Sequence, residues 1–338
     1  MEDIVLVERS REQKALFDLM EKTVSQKQLQ MCFIAGNQGD GKTTFIESFI
    51  KKAQESNKYR KLQFATGTCD QITRDDGAYE AFKDIFSELT GVKANEIQTS
   101  IEGKYLSNFR KAIRVATETL VSIAPELIGI LTPGVGLLTK ALSVSANEII
   151  KNRIELSKNA SVKKDEVFFN TEEYFRNLSE KHPVILIIDD IQWIDKLSLE
   201  LLYHLKNELK ESSILIIAAY RPNEINEEEN SQVRELISIV RLEIEKAVID
   251  LNIDNFSTTQ RNDFVRSFLL NNLCQVEEDF VIEFSNRTGG KPLWMVELLR
   301  FLRQDDYLVR EGGVWIAAQD INWFSLPNQS TKLEALLE

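Results

Sequence analysis

The stretch "MCFIAGNQGDGKTTFIESFIKKA" (Met31 to Ala53) constrains the fold more than any other part of the chain. Met31–Ala35 is an apolar run of strand length, and the eight residues from Gly36 to Thr43 spell G-x-x-x-x-G-K-S/T. Phe45, Ile46, Phe49, Ile50 and Ala53 then recur on one helical face. Glycines let backbone N–H groups curl around phosphate oxygens without a side-chain clash, and a helix start adds partial positive charge. Lys42 is expected to reach the β- and γ-phosphates and the Thr43 hydroxyl to ligate Mg²⁺, with Gly36, Asn37, Gln38, Gly39, Asp40, Gly41 and Thr44 completing the cradle. The alternative, a chance glycine turn before a helix, does not account for the flanking strand and helix patterns.

About 150 residues further on, "VILIIDDIQWID" (Val184 to Asp195) runs five apolar residues into two adjacent carboxylates. Burying such a pair is costly without counter-charge. A magnesium ion on Thr43 and the phosphates would supply it, with Asp189 holding the ion through water and Asp190 orienting or deprotonating the water that attacks the γ-phosphate. The plainer alternative is that both acids cap a helix beginning near Asp195 or Ser198.

Further strand candidates are Lys61–Thr66, Val184–Ile188 and Ser213–Tyr220, with Val240–Leu251 as a fifth. Near-continuous apolar runs alternating with helices predict an α/β fold: a three-layer P-loop NTPase with a parallel sheet covered on both faces. Leu197, Leu201, Leu202, Leu205 and Leu209 mark a crossover helix. The interval 94–169 is too long for a connection and reads as an inserted helical segment. The expected organisation is a P-loop ATPase domain over 1–251, a helical lid over 252–310, and over 311–338 a hairpin about Gly312-Gly313 and the start of a truncated further domain. The tail "LPNQSTKLEALLE" implies either a fragment or a compact module whose output comes from a partner.

The remaining composition narrows the function classes. Cys32, Cys69 and Cys274 with His182 and His204 are too few and scattered for a metal cluster, and the default is reduced thiols in the cytoplasm. A formal charge of -12 argues against a nucleic-acid partner. Leu127–Thr139 is about 13 uncharged residues against the roughly 20 that a span requires, so it reads as a buried helical hairpin and membrane contact is not expected. No base-reading N-K-x-D follows a strand and no D-x-x-G follows Asp189, which points to adenine, hence ATP or ADP, as the nucleotide.

Several segments together resemble the signal-transduction ATPases with numerous domains (STAND), a branch of the AAA+-related P-loop proteins, in collinear order over about residues 5 to 330. "LVERSREQKALFDLM" is similar to the family's opening, with Arg9 and Glu12 in place and Glu8 where the family has glycine. "IAPELIGILTP" looks like part of its inserted helices, and "IIDDIQWIDKLSLELLYHL" matches its D-D-x-x-W-x-D-x-x-S-L-x-L-L. "AAYRPNE" resembles its fourth strand ending in an arginine sensor, and "TGGKPLWMVELLRFL" its lid helix. The resemblance implies that Arg9 contacts the nucleotide, that Arg221 senses the γ-phosphate, and that Pro292 packs against adenine. The plainer readings are an Arg221 paired with acids such as Glu224 and a Pro292 that simply starts a helix. Trp193 and Asp195 read as structural.

The function so implied is a slow, Mg²⁺-dependent ATPase switch in signal transduction, coupling nucleotide state to lid position and to a protein partner or self-association in the ATP state. The competing readings are an origin-recognition or loader-like AAA+ ATPase acting on DNA, and a scaffold with a degenerate site.

Overall fold

Residues 4, 6–7, 9–59, 61–75, 77–90, 160–225, 230–318, 321–323 and 326 are described by a computed structural model. Five parallel strands form the central sheet: β1 (Gln30–Ala35), β2 (Gln63–Thr68), β3 (Val184–Asp189), β4 (Ile214–Tyr220) and β5 (Val248–Asp250), in the order β2-β3-β4-β1-β5. This is the P-loop NTPase arrangement, with β1 between β4 and β5 and in register Met31 to Ile216 and Phe33 to Val248.

The period-two geometry of strands sorts their side chains into two cores. Met31, Phe33, Leu186, Ile188, Ile214 and Ile216 join one apolar cluster, while Cys32, Ile34, Ile185, Ile187, Leu215 and Ile217 join the other. The first cluster is covered by α3 (Glu80–Thr90), α4 (Ala160–Lys181), α5 (Lys196–Glu208) and α6 (Ser231–Glu243). The second is covered by α1 (Ser10–Gln26) and α2 (Lys42–Glu55). All three cysteines are free and buried, and burial alone pushes the Cys32 thiol up to about 12.

Three boundaries differ from expectation. The segment Val240–Leu251 is not one strand: its first part ends α6, whose Val233, Leu236, Ile237 and Val240 form a buried stripe at helical spacing, and only Val248–Asp250 pairs with β1. Strand β2 lies two residues later than Lys61–Thr66, because Gly67 and Thr68 pair with Ile188 and Asp189. Helix α4 runs unbroken through Phe169, its Val167, Thr171, Tyr174, Phe175 and Leu178 buried on one side. The earlier part of the expected insertion, including the apolar hairpin Leu127–Thr139, lies outside the described residues. Among the described residues no helix is long and apolar enough to cross a membrane.

Past Leu251 the chain makes a short turn (Ile253–Asn255) and builds a second unit: α7 (Thr258–Asn271), α8 (Glu278–Thr288) and α9 (Pro292–Gln304). Ser257 and Gln260 form a reciprocal capping box at the start of α7. Gly289 ends α8 in the left-handed region, and Pro292 starts α9 at its first helical position. A three-stranded sheet, β6 (Cys274–Gln275), β8 (Val314–Ala317) and β7 (Leu308–Glu311), closes the unit, with Gly312 and Gly313 at the β7–β8 turn. Ile4, Leu6 and Val7 of the N-terminal segment pack on this unit's core, although α1 packs on the sheet.

Candidate functional site

The loop between β1 and α2 turns tightly because Gly39 (φ 84) and Gly41 (φ 88) adopt backbone angles that side chains resist. It is braced from within and from the second unit. The Asn37 N–H donates to the buried Asp40 carboxylate at 2.6 Å, and Asn37 Nδ2 donates to Asp254 at 3.1 Å. Burial pushes the Asp40 carboxyl up, against the pull of that backbone donor and of Lys291. The Leu293 N–H donates to the Gly39 carbonyl at 3.3 Å, and a Cβ at Gly41 would lie 3.6 Å from the Pro292 ring. The start of α9 therefore sits directly on the glycine loop.

Lys42 is buried at the first position of α2 and its Nζ donates to the Gly36 carbonyl at 2.9 Å. Burial pulls its ammonium down from the usual lysine range, and Asp190 and Asp189 push back. Thr43 Oγ1 donates to Asp189 Oδ2 at 3.4 Å, across 146 residues of sequence. Burial, reinforced by Asp190, pushes the Asp189 carboxyl above the ordinary carboxylate value. The hydroxyl and carboxylate oxygens at this point are the hard donors that magnesium takes, so the residues present fit the ion.

Asp190 adopts φ 51, in the left-handed region, and its N–H donates to Asp189 Oδ1 at 2.9 Å. Its Oδ2 accepts from Arg221 at 2.9 Å and its Oδ1 from Gln192 at 3.1 Å. Arg221 reaches Glu224 through its other terminal nitrogen at 2.9 Å. Arg221 thus pairs with Asp190 and also makes the Glu224 pair of the plainer reading.

These groups border a cavity of about 470 Å³, in the size range of small-molecule sites. Its walls include Asn37, Gln38, Gly39, Gly41, Lys42, Thr43, Thr44, Asp189, Asp190, Arg221 and Pro292. Three other expected contact residues are not on those walls. Gly36 and Asp40 brace the loop from behind. Arg9 donates to the Leu251 carbonyl at 3.1 Å, and its guanidinium lies over the rings of Phe264 (5.1 Å) and Phe256 (5.8 Å). It clamps the N-terminal segment to α7, and burial pulls it below the usual arginine range.

The two acids do not cap α5. That role belongs to Asp195, which is 3% exposed and accepts from Ser198 N (2.9 Å), Tyr79 N (3.1 Å) and Glu80 N (3.1 Å). Trp193 carries the Arg74 guanidinium over its ring at 5.6 Å.

Sequence reasoning missed two parts of the site. Gln192, 1% exposed, stands at an unspecified position of the motif, and nothing in its neighbours signals the acids it bridges. The second part is the wall formed by Leu6, Leu293, Val296, Glu297 and Arg300. The spacing 293, 296, 297, 300 is a helical face, and it is distinct from the core face of Met295, Leu298, Leu299 and Leu302. A two-faced reading of α9 could have found it. The apolar members adjoin Pro292 and suit a flat heterocycle, whereas Lys42, Thr43 and the acids suit phosphate and metal.

The sequence matches the family model for the AAA ATPase domain over residues 5–217. No curated protein matches it. Among solved structures, the chain is similar to Cdc6p from Pyrobaculum aerophilum (14% identity, TM-score 0.48, covering 90% of this chain and 64% of that one). It is also similar to the Aeropyrum pernix ORC1 protein in complex with DNA (12%, 0.48, covering 92% and 63%). A third similarity is to Drosophila ORC bound to DNA (11%, 0.47, covering 90% and 58%). The chain thus spans under two thirds of each of these structures. Two of the three hold DNA.

Proposed function

The chain belongs to the AAA ATPase domain family, and on that premise we propose that it is a slow, magnesium-dependent ATPase switch of the STAND type. The observation that carries the reading is the meeting of Thr43 and Asp189 at 3.4 Å beneath a helix start that touches the same glycine loop. Nucleotide in this cavity would contact the sheet body and α9 at once, so its phosphate state bears on where the helical unit sits.

The proposed roles follow from position. Backbone N–H groups of Gly39–Thr43 and the Lys42 ammonium take the phosphates, and the slot of Leu6, Pro292 and Val296 takes adenine. Thr43 and Asp189 hold magnesium, which when bound neutralises phosphate charge. Asp190 orients the attacking water. Both its oxygens already accept hydrogen bonds, from Gln192 and Arg221, so it can do so only through remaining lone pairs or after Arg221 moves. That requirement fits low turnover. Arg221 stands on the cavity wall where it can contact a terminal phosphate. Full reversal of a two-state equilibrium from 1:99 to 99:1 requires about 5.5 kcal/mol of differential affinity.

The test is to titrate the protein with a fluorescent ATP analogue and with ADP, with and without Mg²⁺, and to measure the native mass in each state. Magnesium-dependent ATP binding with a mass or lid-protection change between ATP and ADP supports the switch, and identical behaviour in both states refutes it. Filter binding of DNA across a salt series separates the loader reading, for which a steep salt slope is expected. The formal charge of -12 favours the switch.

A further inference from the structure

Arg221 is shared between two carboxylates, its guanidinium 2.9 Å from each. Asp190 lines the cavity beside the glycine loop, Glu224 lines an adjoining space of about 240 Å³, and Arg221, with Asn37, Gln38 and Leu293, lines both. The two acids are tied a second time by Gln192, whose amide nitrogen donates to Asp190 and to Glu224 at 3.1 Å each, while its oxygen accepts the Arg221 N–H at 3.3 Å. One buried amide therefore fixes both carboxylates at the spacing that one guanidinium bridges.

We propose that Glu224 sets how strongly the site prefers ATP to ADP, because it is the partner that Arg221 must leave before its guanidinium can take a terminal phosphate. The inference rests on the nucleotide reading above. A diphosphate makes no demand on Arg221, so the Arg221–Glu224 pair weighs against ATP alone. Gln192 is the positioning residue that keeps Glu224 in reach. The backbone of Glu224 is itself held in place, its carbonyl accepting from Asn230 at 2.7 Å, and Asn230 accepts from Arg74 at 3.1 Å on the loop before α3.

The experiment compares the parent, Glu224→Gln, Arg221→Ala and the double variant, titrated with Mg²⁺ and either ADP or a non-hydrolysable ATP analogue. Glu224→Gln should raise the ratio of ATP-analogue to ADP affinity about fivefold, the scale of a partly exposed ion pair, and leave ADP affinity unchanged. The same substitution in the Arg221→Ala background should leave the ratio unchanged. A ratio unaltered by Glu224→Gln, or raised equally without Arg221, overturns the proposal. If Glu224→Gln melts below the assay temperature, Glu224→Asp, which lengthens the pair, is read in its place with the same expected sign. A parent that binds neither nucleotide refutes the nucleotide reading itself, and that result is distinct from an unchanged ratio.

Discussion

Replacing Asp195 by alanine tests whether this acid is a structural staple and not part of the chemistry. Its Oδ1 accepts from Ser198 N and Tyr79 N, and its Oδ2 from Glu80 N and Ser198 Oγ, at 2.5 to 3.1 Å. Alanine removes the cap of α5, worth about 1 kcal/mol. It also strands the backbone donors of Tyr79 and Glu80 at the start of α3, at about 1–3 kcal/mol each where burial keeps water out. Tyr79 is held at φ 60, so the same contacts support an uncommon backbone angle. The sum is about 3–7 kcal/mol, a large share of the roughly 5–15 kcal/mol that stabilises a folded chain. Urea unfolding followed by circular dichroism gives the loss. Asp195→Asn should cost about half as much: its oxygen can keep Ser198 N and Tyr79 N, while its NH₂ opposes Glu80 N. A loss below about 1 kcal/mol for Asp195→Ala, or equal losses for both variants, would refute the reasoning.

Thr43→Ala should weaken ATP binding about tenfold or more in Mg²⁺ and leave binding in EDTA unchanged, as read by fluorescence titration. Asp189→Asn should melt higher than the parent at neutral pH. The folded carboxyl titrates above its usual 3.8, chiefly because it is buried and then because Asp190 is adjacent, so the fold binds the proton more tightly than the unfolded chain. Stability from this group is therefore lost as pH rises from the unfolded value through the folded one, and the variant's melting temperature should be flatter over that acid range. The same variant should lose magnesium-dependent binding. Arg9→Ala should lower stability by about 1–2 kcal/mol through the lost carbonyl and ring contacts. Hydrogen exchange should show α7 and the 252–257 turn less protected, and protection equal to the parent's would refute the clamp.

The sheet was legible because buried parallel strands are written as unbroken apolar runs, and the glycine loop because its geometry admits few residue types. Strand β5 was obscured since "VRLEIEKAVIDL" joins a helix end to a three-residue strand without a proline or glycine between them. The pairing of Thr43 with Asp189 could be anticipated from charge: adjacent buried acids need a cation. Arg9 could not, because its partners are a carbonyl 242 residues away and the rings of Phe256, just ahead of α7, and Phe264 within it. Gln192 was invisible for a related reason, since its importance lies in three partners that only the fold assembles.

The helical unit meets the sheet body in several places: Ile4, Leu6 and Val7 rest on its core just ahead of α1, residues 251–257 lead into α7, and the start of α9 sits on the glycine loop. Lifting the face of α9 off the glycine loop therefore also means parting the Leu293–Gly39 hydrogen bond and disturbing the apolar seat of that N-terminal segment.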